Sequence, residues 1–221
     1  MIKIFLLLFF SVSLYGVSID LDKLHQDLKC DRVFDVRIYN SCYSYKYRAP
    51  LEVDYTINKN VNKNNYHIDK YWYSYRSIPK RYRQYNSDYY HGHYHKGHLA
   101  PKADFDYSRR IVKKTYYLGV NSVPQVPSAN KYSWYRVEKR ERKLAKYSDE
   151  IHVINIVKYP KNPKWLNNRI AIPEGFYKII YNDDDLLECY YVKNEYIDHK
   201  RIRLNDFRIK CEDIPYLKIT K

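Results

Sequence analysis

The chain has 221 residues, 45% of them hydrophobic, and a formal charge of +15. That length suits one domain with a sizeable core, and the sequence contains no self-similar period and no Gly/Ser-rich or Pro-rich linker, which excludes a repeat array and a two-domain chain on a flexible tether. The charge implies attraction to polyanions, phosphate backbones being the commonest, although a mixture rich in Lys, Asn, Ile and Tyr also arises from A·T-biased coding, with many lysines on a solvated face.

In chain order, Met1-Ile2-Lys3 precedes an uncharged run from Ile4 to Leu14 that ends in the small residues Gly16 and Ser18. This is a signal-peptide pattern, giving a leader over 1–18, a domain over 19–221 and a periplasmic or secreted location. The run is shorter than the roughly 20 residues that span a bilayer, so an uncleaved anchor is the lesser alternative. Four cysteines in an exported chain suit two disulfides. The sequence-local choice pairs Cys30 with Cys42 and Cys189 with Cys211, each stapling one hairpin or terminal segment. With no CxxC spacing, a cysteine zinc site is not expected.

Two strands are expected at Tyr43-Ser44-Tyr45-Lys46-Tyr47 and Leu51-Glu52-Val53-Asp54-Tyr55, followed by an Asn/Lys-rich loop over Asn58 to Asn65 and an irregular region from Tyr66 to Tyr90. Thr115 to Val120 reads as a strand, Ser122 to Ala129 as a Pro-containing loop, and Lys131 to Tyr147 as a helix. The β-branched run Ile151 to Val157 has the character of a buried central strand. Further strands are expected at Arg169 to Ile172, Phe176 to Tyr181 and Leu186 to Val192, with Asp183-Asp184-Asp185 as a turn. Strands, helix, strands in that order predict an α+β domain.

Six positions could carry chemistry: Lys96, His98, Asn121, Asn130, Glu138 and Arg142. Phosphodiester hydrolysis needs a base for water, a cation for the charge developing on phosphoryl oxygens, and help for the leaving oxygen. Gly97 would let a phosphate backbone approach His98. Asn130, placed where the helix should begin, could cap it or offer its carbonyl oxygen to a hard cation. Asn130, Trp134, Glu138 and Arg142 recur every four residues and so share one slowly drifting stripe. Singly, each has a plainer reading: a structural His, a helix cap, an i,i+4 ion pair.

The string Lys96-Gly97-His98-Leu99-Ala100-Pro101, then Asn121-Ser122-Val123-Pro124-Gln125, then Asn130, Trp134, Glu138 and Arg142, resembles the DNA/RNA non-specific endonuclease family, the ββα-metal (His-Me finger) nucleases of the Serratia nuclease and endonuclease G type. The segment Ala171 to Lys178 resembles the family's strand ending in an aromatic-Lys pair, and weaker similarity begins near Tyr43. The resemblance implies a mixed, mainly antiparallel sheet with a catalytic helix. It implies hydrolysis of DNA, double- or single-stranded, and of RNA, with Mg²⁺ as cofactor and Mn²⁺ able to substitute. His98 would be the general base and Asn130 the direct metal ligand. Glu138 would orient a metal-bound water, Arg142 and Lys96 would stabilise phosphate charge, and Asn121 and Gln125 would brace the site from behind.

Two departures stand out. The family's Asp-Arg-Gly-His is here His95-Lys96-Gly97-His98, and an upstream phosphate-binding Arg aligns with Asn64, for which Lys63 or Arg76 could substitute. Lys96 keeps the charge but not the bidentate fork of Arg. Two rival readings follow: a nucleic-acid-binding protein with a decayed site, and a periplasmic metal-binding protein using His91, His93 and His95, which would share a strand face. The tyrosines could stack on single-stranded bases but are expected mostly to pack. The sequence leaves open whether the chain forms a homodimer.

Overall fold

The structure, a computed structural model, describes residues 16–61, 66, 71–90, 92–184, 186–198 and 200–220. Residues 1–15 of the leader expected over 1–18, together with Lys63, Asn64, His91 and Asp185, lie outside the described residues.

Helix α1 (Leu21–Leu28) starts at Asp20, whose carboxylate accepts from the Lys23 backbone N–H at 2.9 Å, and stops at Lys29 in the left-handed conformation. Strands β1 (Arg32–Asp35), β2 (Asn40–Ser44) and β3 (Ala49–Ile57) form a meander. Next come the short strand β4 (His95–His98), helix α2 (Arg109–Thr115), strand β5 (Ser122–Gln125) and helix α3 (Tyr135–Ala145). Strands β6 (Ile151–Lys158), β7 (Gly175–Tyr181), β8 (Leu187–Lys193) and β9 (Arg208–Ile209) complete the chain's main elements.

One seven-stranded sheet in the order β9-β8-β7-β6-β3-β2-β1, antiparallel at every pairing, carries the domain. The β-branched run sits at its middle as β6, paired with β3 on one side and β7 on the other. Because side chains alternate across a strand, β6 feeds two cores. Val153 and Val157 face the larger one with Tyr55, Trp134 and Phe176, while Ile154 and Ile156 face a smaller one with Leu24, Ile179 and Ile214. The mainly antiparallel α+β architecture is the one expected. Both disulfides form as read, Cys30–Cys42 and Cys189–Cys211. Tyr39, Tyr43, Tyr55, Tyr89, Tyr116, Tyr177, Tyr181 and Tyr190 are core residues, in keeping with the packing role expected of most tyrosines.

Several local expectations are corrected. Thr115 to Val120 is not one strand: Thr115 closes α2, and only Tyr117–Leu118 is extended. Gly119 then turns the chain at φ 88°, in the left-handed region where a side chain would also strike Ile78. The expected loop over Ser122 to Ala129 contains β5, which pairs with β4 in the register His95↔Gln125 to His98↔Ser122. The Arg169 to Ile172 strand shrinks to Ile170–Ala171. Among the described residues, no helix is long and apolar enough to cross a membrane.

Candidate active site

The β4–β5 pair and the helical segment after it form a ββα unit on the larger-core face of the sheet. Asn155 of β6 anchors the unit, its side-chain amide donating to the Leu99 carbonyl at 3.2 Å and to that of Val53 at 3.4 Å. Asn121, fully buried, braces the turn after His98. Its Oδ1 accepts from the Ala100 N–H at 2.7 Å, and its Nδ2 donates to the carbonyls of Ala100 and Thr115 at 2.9 and 2.7 Å. The expectation that Gly97 opens the backbone to a phosphate is corrected. The space a Cβ would take is filled by the buried side chain of Gln125, whose Oε1 would lie 1.9 Å from it. Asn121 and Gln125 thus pack against the backbone on either side of His98.

His98 rests between two aromatic rings, Trp72 at 4.4 Å and Tyr116 at 5.0 Å between centroids, and its backbone carbonyl accepts from Trp134 Nε1 at 3.1 Å. Its Nε2 is sealed from solvent without a hydrogen-bond partner. Burial, helped by the Lys102 charge, pulls the imidazole pKa down to about 3, so the ring is neutral at neutral pH.

Asn130 does not cap the helix. The helical path is already under way before it, its backbone N–H bonds the Val126 carbonyl at 2.9 Å, and it lies inside the π-helical turn Ala129–Trp134. The wider turn carries one extra residue, and that alters the four-residue stripe. Trp134 swings into the core under β4, and Tyr135 takes its place beside Asn130, Glu138 and Arg142. Those four line a cavity of about 400 Å³ together with His98, Pro101, Lys102, Ala103 and Lys131. The structure thus brings His98, Asn130, Glu138 and Arg142 to one wall. Lys96 does not line it: its ammonium donates to Asn86 Oδ1 at 2.8 Å and lies 5.6 Å from the centre of the Tyr89 ring.

The Asn130 side-chain nitrogen and His95 Nδ1 lie 3.0 Å apart. Burial, with Lys131 adding, lowers the His95 pKa, and in the tautomer with Nδ1 unprotonated the ring accepts from the Asn130 amide nitrogen. The amide oxygen is then the atom left for a cation. Glu138 is buried, and burial raises its pKa to about 7 against the opposing charges of Arg142 and Lys178. A carboxylate half-protonated near neutrality, beside an amide oxygen in a cavity, is a donor set that a hard divalent cation fits. His93 and His95 are not part of any three-residue ligand cluster among the described residues.

Behind the cavity lies a buried polar network that the sequence reading did not assemble. Lys178 of β7, fully buried, donates to Glu141 Oε2 at 2.5 Å and to the Tyr55 hydroxyl at 3.1 Å, and lies 4.7 Å from the Trp134 ring. Arg142 pairs with Asp104 at 2.9 Å, closer than with Glu138 at 4.0 Å. Burial first, then the Glu141 charge, drives the Asp104 pKa well up. A lysine inside Gly175-Phe176-Tyr177-Lys178-Ile179-Ile180-Tyr181 was the available signal, since a charge in a buried strand requires a partner.

The family model for DNA/RNA non-specific endonucleases matches residues 25–218. Mitochondrial endonuclease G of Bos taurus is 28% identical over 156 residues, covering 62% of this chain and 50% of the relative. The mitochondrial nuclease of Saccharomyces cerevisiae is 26% identical over 158 residues, covering 61% and 47%. The chain spans about half the length of the curated relatives it matches. The crystal structure of the EndoG/EndoGI complex contains a chain that superposes with a TM-score of 0.74 over 86% of both chains at 24% identity, a likeness of fold. With the family model covering nearly all of the described domain, the chain belongs to the DNA/RNA non-specific endonuclease family.

Proposed function

We propose that the protein is an exported, Mg²⁺-dependent endonuclease that hydrolyses phosphodiester bonds of DNA, and of RNA, without base-specific readout. The observation that carries this reading is a neutral, rigidly held His98 on the same cavity wall as Asn130, Glu138 and Arg142. Asn130 would hold the cation through its amide oxygen, with Glu138 beside it. When bound, Mg²⁺, or Mn²⁺ in its place, supplies charge stabilisation to the phosphoryl and leaving oxygens.

The chain's own residues do the rest. Lys102, Lys131 and Arg142 on the cavity wall draw the phosphate in. Trp72 and Tyr116 clamp the imidazole plane. Since Nε2 is sealed, a water in the cavity gives its proton to Nδ1 of His98 as its oxygen attacks phosphorus and the ester bond opposite breaks. The phosphate's negative charge raises the low His98 pKa at that moment and makes the ring a better base. Contacts to phosphate carry no sequence information, which accounts for the lack of base preference. Export is supported by the two disulfides, which persist in oxidising compartments.

The test is plasmid nicking by the purified protein with Mg²⁺ or Mn²⁺, against an EDTA control. Wild type is expected to cut. His98→Ala is expected to lose about 10²–10⁴-fold in cleavage rate while binding DNA with unchanged affinity. A wild type that binds DNA but never cuts would make this a binding protein with a decayed site at His95 and Lys96.

A further inference from the structure

On the opposite face of the sheet, away from His98, Glu52 and Asp54 of β3 point beneath helix α1, toward His25. Each offers one ligand atom, and the atoms from the three residues lie within 4.8 Å of one another. His25 Nε2 is 2.9 Å from Glu52 Oε2. Glu52 is fully buried, Asp54 is 7% exposed, and the His25 side chain is 12% exposed. Two carboxylate oxygens in this cluster, Glu52 Oε1 and Asp54 Oδ2, are sealed from solvent without a hydrogen-bond donor. Among the described residues, no Lys or Arg pairs with either carboxylate; their shared positive neighbour is His25.

Such an arrangement calls for a counter-charge. A pair of buried carboxylates, each with one oxygen lacking a donor, is driven to take up a proton or to ligate a metal. Against burial, which lowers it, Glu52 and Asp54 hold the His25 pKa up; once ligation displaces that proton, two carboxylates and a neutral imidazole carry a charge that a single divalent ion balances. The donors are already preoriented: Asn40 Nδ2 donates to Asp54 Oδ1 at 3.0 Å, leaving Oδ2 toward the cluster.

We propose that His25, Glu52 and Asp54 form a second metal site, separate from the catalytic cavity, that takes a divalent transition-metal ion of the Zn²⁺ class and clamps α1 to the back of the sheet. One imidazole with two carboxylates suits Zn²⁺, whereas Mg²⁺ and Ca²⁺ favour all-oxygen shells. The site holds whether or not the chain is a nuclease, because none of its residues lines the His98 cavity.

The test uses the full chain carrying Asn130→Ala, to remove the catalytic cation site, stripped with EDTA and dialysed against Zn²⁺, with Mg²⁺ as a parallel arm. Bound metal is counted by mass spectrometry and unfolding is followed by heat. We expect one Zn²⁺ per chain, no retained Mg²⁺, and a Tm rise of about 5–10 °C at Zn²⁺ a hundredfold above Kd. Adding Asp54→Asn, or separately His25→Gln on the half-exposed helix, should abolish both the bound ion and the rise. If the Asn130→Ala chain retains no Zn²⁺, or if a folded Asp54→Asn or His25→Gln chain retains it undiminished, the site does not exist and Glu52 and Asp54 share a proton instead.

Discussion

In the proposed mechanism Asn130 offers its amide oxygen to the cation, with its amide nitrogen 3.0 Å from His95 Nδ1. Asn130→Ala should therefore cut activity by orders of magnitude and raise the Mg²⁺ concentration needed for half-maximal cleavage. Its Tm in the absence of metal should stay near that of wild type, since the residue does not cap α3; an unchanged Mg²⁺ dependence would move the cation elsewhere. Glu138 makes a pH prediction. Burial raises its folded pKa from 4.5 to about 7, so the stability it contributes is complete below 4.5 and is lost as pH rises through 7. Glu138→Gln has no charge to bury. In metal-free melts its Tm relative to wild type should climb between pH 5 and pH 8, by the equivalent of roughly 1–3 kcal/mol; a flat difference would mean that Arg142 fully compensates the carboxylate. At this scale the sequence was legible where a residue type is scarce for a chemical reason. His98, Asn130, Glu138 and Arg142 could be named, whereas Asp104, Glu141 and Lys178 look like ordinary charges until the fold buries them together.

The catalytic helix shows what periodicity can and cannot convey. Lys131 to Tyr147 was readable as helix, and α3 with its preceding turn occupies Ala129–Ala145. The extra residue of the π turn left no mark on composition, so Trp134 was placed on the cavity stripe instead of beneath β4. Strand β5 was hidden by Pro124, which lacks a ladder donor; in a two-stranded antiparallel pair the backbone N–H of every other residue faces away from the partner, where a proline can be accommodated. The helix is fastened to β7 by the buried Lys178–Glu141 pair. Removing one partner leaves the other charge stranded, so Lys178→Met should cost about 3–5 kcal/mol in urea melts. Lys178→Met combined with Glu141→Leu should recover much of that loss. Additive losses in the double variant would show that the pair is not a unit.

Seen across the molecule, the reacting cavity and the covalent staples lie on opposite faces of one sheet. Cys30, just past α1, is joined to Cys42 in β2, and Cys189 in β8 is joined to Cys211, with Cys189 packed in the smaller core that also holds Leu24 and Ile214. The pairing was readable because each bridge is local, with separations of 12 and 22 residues. Closing loops of that size constrains the unfolded chain by about 3 kcal/mol each on the chain-entropy account. The bridges lie on a face that the His98 cavity does not reach, so they should support stability without tuning chemistry. Cys30→Ser with Cys42→Ser, and Cys189→Ser with Cys211→Ser, should each lower the urea midpoint, and the two losses should add because the bridges share no residues. At 25 °C, while still folded, both variants should cut plasmid at the wild-type rate. A folded variant that has lost cleavage would show that the back of the sheet sets the position of the ββα unit, with β6 as the route, since Asn155 on that strand holds the Leu99 carbonyl next to His98.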